Sequence, residues 1–170
     1  PWSPAIWVNA SSPNETLGNS SMAVSAGGAI CAIWPEYTIN PDQSLDYDHK
    51  VLQTRCRPSD LEWGEIETLY DAPSGVNLWE TDIAMDDADN AYAVWSEDRD
   101  SGCDVYFSHR PSGGTWQPSV RVNDGDPGTA SCSYGVSIAV DASGSAHVLW
   151  LAPGRDHVRY RSRTPAGAWQ

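Results

Sequence analysis

Two short acidic stretches carry the side chains of this chain that are best suited to bind a cation. They are DDADN at 86–90 and DRDSGCD at 98–104, and hard ions such as Ca²⁺ take several oxygen ligands at once. Both stretches fall in predicted turns, where Asp and Asn are favoured because their side chains bond the neighbouring backbone. The pattern therefore favours two turns over a calcium site, and we expect neither a metal nor a cofactor.

The acidic residues give no specific sign of glycoside hydrolysis. That reaction needs two carboxylates about 5–9 Å apart, one on each side of the bond. With 23 Asp and Glu residues among 170, many such pairs would arise by chance. Nine of the ten basic residues are arginines, and most lie beside predicted turns, as expected of edge and corner charges. These are Arg55, Arg57, Arg110, Arg159, Arg161 and Arg163. We predict no catalytic residue.

Three N-glycosylation sequons lie close together near the start of the sequence. They begin at Asn9, Asn14 and Asn19, and no other asparagine of the chain starts one. Their clustering predicts a segment that carries glycans on a secreted protein. Because the first residue is Pro1 and not Met, we expect a mature or excised chain.

The four cysteines fit an oxidising location better than a metal site. Cys31, Cys56, Cys103 and Cys132 are widely spaced, unlike the paired knuckles of a zinc site. The four cysteines are therefore either disulfide-bonded or buried as free thiols, and disulfides persist in secreted proteins. We therefore expect a secreted, disulfide-bonded protein.

Charge and hydropathy exclude two classes of partner. Ten basic and 23 acidic residues give a net charge of −13, which repels the phosphates that a nucleic-acid-binding protein must neutralise. No apolar run approaches the roughly 20 residues that a membrane-spanning helix needs. We expect no binding to nucleic acid and no membrane insertion.

The sequence contains an internal repeat, which is expected to position the acidic stretches, the arginines and the cysteines. MAVSAGGAICAIW (22–34), IAMDDADNAYAVW (83–95) and IAVDASGSAHVLW (138–150) align without gaps over 13 positions. Each contains an apolar run, a turn of small or polar residues and a second apolar run that ends on Trp. This pattern predicts three β-hairpins, whose strands we label A and B.

A second block follows each hairpin. VLQTRCRPSDLEW (51–63), DVYFSHRPSGGTW (104–116) and HVRYRSRTPAGAW (157–169) each place a strand C before a turn and a Trp. A further strand D starts at Trp63 and at Trp116, and the segment from Trp2 matches both.

Four-stranded units of this length, with Trp at fixed places, are typical of propeller blades. We predict an all-β fold: a β-propeller of four-stranded antiparallel blades, three per chain, in a single unit over 1–170. The repeats cover approximately 2–62, 63–115 and 116–168, and the D strand at 2–10 completes the last blade. No helical periodicity competes with this assignment.

The C–D turns resemble those of the sialidase-like, or Asp-box (BNR), repeat propellers. That family has the turn pattern Ser-x-Asp-x-Gly-x-Thr-Trp. Here RPSGGTW keeps Gly114, Thr115 and Trp116, while the other copies keep Gly167 and Trp169, or Asp60 and Trp63. The boxes are degenerate.

The resemblance implies that these turns are structural corners opposite the ligand face. It also implies that the repeat tryptophans are core residues: Trp34, Trp63, Trp95, Trp116, Trp150 and Trp169. A sialidase of this family would further need an arginine triad, a Tyr–Glu pair and an acid-base Asp. The Arg-Ile-Pro stretch of its first arginine is missing here, so we predict a protein that is not an enzyme.

A ligand would bind on the face formed by the B–C and D–A loops, because variable loops on a rigid scaffold carry most binding sites. The loops predicted there are 35–50, 73–81, 96–103 and 125–136. The candidate contacts on this face are Tyr37, Tyr47, Trp79, Arg99 and Arg155. The strand order also predicts the disulfides Cys31–Cys56 and Cys103–Cys132, provided that their Cα atoms lie within about 7 Å.

Three blades cannot close a ring of familiar size, so self-association is expected. A twofold homodimer would supply six blades, and a head-to-tail arrangement that exchanges the N-terminal strand would give a filament. The chain could also be a fragment of a longer propeller. We predict a secreted, glycosylated, non-catalytic module for extracellular assembly or adhesion, with glycans as ligands. The alternatives are a structural subunit of an extracellular filament and a sialidase-like hydrolase fragment.

Overall fold

The computed structural model confirms the all-β prediction. It describes residues 4–9, 15–39, 45–59, 61–99, 102–124, 128, 130, 135–154 and 156–170, with backbone alone at 39 and 45–48. Within these ranges the chain forms twelve strands in three antiparallel sheets and no helix. None of the described residues belongs to a helix that could cross a membrane.

The first sheet confirms the hairpin predicted at 22–34. It contains β1 (Glu15–Leu17), β2 (Ser21–Val24), β3 (Ile30–Ile39), β4 (Leu45–Arg57) and β5 (Ile66–Ala72). The strand order is β1-β3-β4-β5, with β2 also paired to β3. β1 and β2 therefore lie end to end along one edge of β3.

The second and third sheets repeat this meander. The second contains β6 (Asn77–Met85), β7 (Ala91–Arg99), β8 (Gly102–Arg110) and β9 (Val120–Arg121), and the third contains β10 (Ser137–Val140), β11 (Ala146–Leu151) and β12 (Val158–Arg163). Each is paired in chain order, which confirms the hairpins at 83–95 and 138–150. The third sheet has no fourth strand among the described residues, apart from a single bridge between Arg163 and Trp169.

The A–B turns share one backbone conformation. Gly28, Asp89 and Gly144 occupy the same position in the three repeats, and their φ angles are 88°, 63° and 80°. Glycine adopts this left-handed region without steric cost, and Asp is one of the few other residues that tolerate it. The repeated glycine or Asp is thus a requirement of the turn.

The apolar core lies in two layers, each between successive sheets. Ile33 and Leu52 of the first sheet pack with Ile83 and Trp95 of the second. Between the second and third sheets, Val94 and Phe107 pack with Ile138, Val148 and Trp150. Side chains alternate between the two faces of a strand, so the second sheet contributes to both layers.

The repeat tryptophans differ in burial according to their strand. Trp34, Trp95 and Trp150, at the ends of the hairpins, are buried as predicted. The corner tryptophans Trp63, Trp116 and Trp169 are only half-buried. Trp116 donates from Nε1 to Thr54 Oγ1 of the first sheet at 2.9 Å, and Trp169 packs edge-on against Phe107 of the second at 5.3 Å. Each of these two corners thus packs back onto the preceding sheet.

The disulfide predicted between strands B and C is present. Cys31 and Cys56 face each other in the β3–β4 register, with their Cα atoms 4.1 Å apart. Cys103 is also disulfide-bonded. Its predicted partner, Cys132, lies outside the described residues, so the pairing 103–132 stays a prediction.

The N-terminal segment does not form a strand where it is described. Residues 4–9 have no regular pairing, and the Val8 carbonyl accepts a hydrogen bond from Arg55 Nη1 of β4 at 2.9 Å. The proposal that 2–10 completes the last blade stays a prediction, and residues 1–3 and 10 lie outside the described part.

Candidate functional site

Several candidate ligand contacts lie in strands and not in the loops predicted for them. β3 extends to Ile39 and β4 starts at Leu45, so Tyr37 and Tyr47 are strand residues. Trp79 lies in β6, where the register shifts between Leu78 and Thr81. The predicted loops 35–50, 73–81 and 96–103 were therefore too long, because apolar alternation weakens where a strand leaves the core. Segment 125–136 is described only in part.

The structure places the candidate contacts as follows. Tyr37 donates its hydroxyl to the carbonyl of Leu78 at 3.0 Å, so it joins the first sheet to the second. Trp79 is exposed, and Arg99 ends β7. The side chain of Tyr47 and the whole of Arg155 lie outside the described residues.

Arg99 belongs to a polar group between the first and second sheets, which we call the loop-end cluster: buried Glu97 with half-buried Tyr70, Arg99 and Tyr106. Arg99 donates to Glu97 Oε2 from Nε at 3.0 Å and from Nη2 at 2.6 Å. Its Nη2 also contacts the Tyr70 hydroxyl at 3.3 Å, and its guanidinium lies 5.6 Å from the centre of the Tyr106 ring. Trp95 Nε1 donates to the other oxygen, Glu97 Oε1, at 2.9 Å.

The electrostatics of this cluster favour fixed charges over proton transfer. Burial and the Glu97 carboxylate together raise the pKa of the Tyr70 hydroxyl well above its usual range. Burial, followed by the charge of Glu97, also raises the pKa of Tyr106. The Glu97 side chain has no exposed surface, and both of its oxygens are bonded. A Tyr–Glu pair is present, but its carboxylate cannot contact a ligand in this arrangement.

A second buried carboxylate lies next to the cluster on the neighbouring strand. Asp104 faces Glu97 across the β7–β8 pair, and it accepts from Asn123 Nδ2 at 2.6 Å and from the Gly128 backbone at 2.9 Å. Arg121 Nη1 lies 3.5 Å from the same Asp104 oxygen. Two acids and two arginines are thus paired within this end of the second sheet.

Lys50 also links the two sheets at this end. It is buried, and its Nζ donates to the Val76 carbonyl at 3.1 Å and to Asn77 Oδ1 at 2.5 Å. Sequence reasoning missed both Lys50 and Glu97. A signal was present for Glu97, because a Glu follows the hairpin Trp by two residues at Trp34-Glu36 and at Trp95-Glu97. Buried charged groups are tolerated only where they are paired. We therefore interpret the paired groups at this end as a polar clamp, that is, as contacts that hold the first and second sheets together.

A cavity of about 470 Å³ lies at the opposite, turn end, between the second and third sheets. Asp86, Tyr92, His109 and Arg163 line it. Asp86 accepts from the backbone of Asn90 at 2.9 Å and from the Tyr92 hydroxyl at 2.8 Å. The stretch 86–90 thus has the turn bonding predicted for it, and the described residues contain no group of three His, Cys, Asp or Glu side chains that could hold a metal.

Burial shifts the titration of the groups around this cavity. It raises the pKa of Tyr92 to about 12, with a contribution from the hydrogen bond to Asp86. Burial, and then the charge of Arg163, lower the pKa of His109. Burial alone would raise the pKa of Asp86, but its hydrogen bonds from Asn90 and Tyr92 lower it.

The two ends of the sheet stack expose positions that are buried elsewhere in the repeat. Ile33, Val94 and Leu149 are equivalent, and their exposed fractions are 0%, 0% and 44%. Leu149 belongs to the last outer face, the outward side of the third sheet, which we define as His147, Leu149, Val158 and Tyr160. The equivalent residues of the second sheet are Tyr92, Val94, Val105 and Phe107, and all four are buried in the core between the second and third sheets.

The opposite end shows the complementary surface. We define the first outer face as Val8, Met22 and Trp34, which line a cavity of about 460 Å³ on the first sheet. The equivalent residues of the core between the second and third sheets are Val122, Ile138 and Trp150. Met22 is 60% exposed, whereas Ile83 and Ile138 in the same position are 4% and 7% exposed. Each outer face is thus one half of an interface that the chain forms internally.

The two predicted glycosylation sites that the structure describes lie near the first outer face. Asn9 lines the same cavity as Trp34. Asn19 is exposed, and its Nδ2 donates to Glu80 Oε1 of the second sheet at 3.0 Å. Asn14 lies outside the described residues. The occupancy of all three sites stays a prediction.

No protein-family model matches this chain, and no curated protein matches it in sequence.

We predict that Arg99→Met lowers the free energy of unfolding by about 2–3 kcal/mol, because it leaves the buried Glu97 carboxylate unpaired. The double variant Glu97→Gln, Arg99→Met should recover at least about half of this loss. Urea unfolding measures both, and Arg159→Met on exposed β12 is the matched control, with an effect below about 0.5 kcal/mol. Equal stability of Arg99→Met and wild type would show that the cluster is not a clamp.

We also predict a pH effect at Asp86. Its folded pKa lies below the ordinary Asp value of 3.8, so the stabilisation is complete above that value and is lost as pH falls through the folded pKa. Asp86→Asn should cost about 1 kcal/mol at neutral pH, allowing for partial solvent screening. The cost should shrink below about pH 4. Melting temperatures across this range test it, and a loss of the same size for the exposed neighbour Asp87→Asn would contradict it.

Proposed function

We propose that this chain is an extracellular, non-catalytic β-propeller module whose function is assembly with further copies of itself. The observation that carries the proposal is the pair of outer faces, where Met22, Leu149 and Tyr160 are exposed although the equivalent residues beside a neighbouring sheet are buried. Apolar surface of this kind on a soluble protein usually marks an interaction site.

The two faces are complementary because of the repeat. The first outer face offers Val8, which corresponds to Val122 beside β8 of the second sheet, and Met22 and Trp34, which correspond to the third-sheet side of the internal core. The last outer face offers Leu149 and Tyr160, which correspond to its second-sheet side. A second copy placed head to tail would thus reproduce the packing between the second and third sheets. If two copies make this contact with each other at both ends, they form a ring of six blades. If the contacts do not close, successive copies form a filament.

The corner tryptophans support the same arrangement. Trp116 bonds Thr54 and Trp169 packs on Phe107, and the equivalent position of the third sheet is Tyr160, which is exposed. The corner of the first sheet is Trp63. In the proposed contact, Trp63 of one copy packs on Tyr160 of the next.

The proposed extracellular location is compatible with the disulfide chemistry of the chain. The Cys31–Cys56 disulfide suits an oxidising environment. Adhesion and glycan recognition at the loop end remain predictions, for which exposed Trp79 is the best-placed residue.

The sialidase-like alternative has less support. The loop-end cluster supplies a Tyr–Glu pair and one arginine, but Glu97 is completely buried and bonded through both oxygens. An active site of that class needs a carboxylate that reaches the substrate.

We predict that the wild-type chain, produced without N-glycans, self-associates reversibly in sedimentation velocity. A dimer indicates the closed ring, and large particles indicate the filament. Leu149→Asp should weaken association at least about thirty-fold, because a charge in a packed interface centre costs about 2 kcal/mol or more.

Val120→Asp is the matched control for this measurement. Val120 is 43% exposed and Leu149 is 44% exposed, but Val120 lies at the edge of the second sheet and away from both outer faces. It should leave association unchanged. A wild-type chain that stays monomeric at every concentration would refute the proposed function.

A further inference from the structure

Among the described residues, one edge of the third sheet is largely without a partner strand. β12 pairs with β11 along one side, and on its other side the described residues supply only the contacts of Trp169 and Gln170 near Ser162 and Arg163. Val158 and Tyr160 are exposed along that edge. Unpaired edges of this kind are templates for the addition of another strand.

The second sheet shows what fills the equivalent edge. There β9 pairs with β8, with Phe107 opposite Val120 and Tyr106 opposite Arg121. The pairing continues beyond β9, because the Val122 backbone donates to the Val105 carbonyl at 2.7 Å. The Val105 backbone in turn donates to Asn123 Oδ1 at 2.8 Å.

Residues 4–9 are the sequence equivalent of this strand. WSPAIWVN from Trp2 aligns with WQPSVRVN from Trp116, so Ile6, Trp7, Val8 and Asn9 correspond to Val120, Arg121, Val122 and Asn123. In the described structure this segment has no strand partner, and Ile6 and Trp7 are 67% and 89% exposed.

Two equivalent hydrogen bonds show that this segment lies in the position of such a strand. Arg161 of β12 donates from Nη1 to the Val122 carbonyl at 2.7 Å. Arg55, the equivalent residue of β4, donates from Nη1 to the Val8 carbonyl at 2.9 Å. Relative to the first sheet, Val8 therefore lies where Val122 lies relative to the third sheet. Val8 occupies the fourth-strand position of a sheet that would precede the first one.

We propose that residues 4–8 of one copy form the fourth strand of the third sheet of a second copy. The repeat fixes the register: Ile6 opposite Tyr160, Trp7 opposite Arg159, and the Val8 backbone donating to the Val158 carbonyl. Asn9 Oδ1 accepts from the Val158 backbone, as Asn123 does from Val105. This inference rests on the proposed self-assembly and names the strand that each copy donates.

The arrangement has a consequence for the glycosylation site at Asn9. Asn123, its equivalent, is buried, and a glycan on an asparagine at that position would have no room between two sheets. Strand donation and N-glycosylation at Asn9 therefore exclude each other, and glycosylation of Asn9 would keep the chain from assembling by this route.

Val8→Pro tests the strand directly, because proline removes the one backbone N–H that donates to Val158 and keeps the carbonyl that Arg55 contacts. It should weaken association at least about ten-fold in sedimentation velocity. Ala5→Pro is the matched control, since the N–H groups of alternate strand residues point away from the partner strand. Ala5→Pro should associate like wild type.

A cysteine pair identifies the donor and the register. Ile6→Cys with Tyr160→Cys should form an intermolecular disulfide on mild oxidation, visible as covalent multimers in non-reducing electrophoresis. Ile6→Cys with Arg163→Cys is out of register and should not.

The possible results separate the two proposals. Assembly that is insensitive to Val8→Pro and gives no cross-link would overturn strand donation and leave the face-to-face contact standing. A disulfide confined to the monomer would place the segment on its own third sheet and overturn donation to a second copy. A wild-type chain that never associates would overturn both proposals.

Discussion

Burial of an apolar sheet face against the next sheet is the interaction on which the rest of this structure depends. A short antiparallel sheet cannot bury its own faces, so its apolar residues need a second layer. Here Trp95 packs against the first sheet and Trp150 against the second. The same hairpin position therefore supplies the centre of each layer.

Polar contacts between the first and second sheets fix how these two layers align. At the loop end, Lys50 reaches from β4 to Asn77 of the next sheet, and Arg99 of β7 contacts Tyr70 of β5. Buried hydrogen-bonded charges tolerate little displacement, so they define one register for a contact that apolar packing alone would leave loose.

The first and last faces of the sheet stack differ from the faces between two sheets. Met22 and Leu149 are exposed there, whereas their counterparts Ile83 and Val94 in the second sheet are buried. The N-terminal segment shows the same relation in the backbone, through the matching contacts of Arg55 and Arg161. In the proposed assembly, further copies of the chain cover both ends.

The sequence predicted the hairpins, the order of the strands and the Cys31–Cys56 bridge, because alternation and turn residues act over a few positions. It did not predict that Trp79 lies in β6, since a bulge at Leu78 and Thr81 shifts the pattern by one residue. It also missed the contact of Arg99 with Tyr70, because that contact depends on how two sheets meet. The open outer faces became visible only when equivalent residues could be compared for burial.

Strand donation requires that a second copy cover β12 in solution. Hydrogen–deuterium exchange of the backbone amides of β12, measured over a range of protein concentrations with β8 as the internal reference, follows this coverage. Exchange in Val158–Arg163 should slow as the concentration rises, while exchange in β8 stays constant. Equally rapid exchange in β12 at every concentration would show that no second copy covers it.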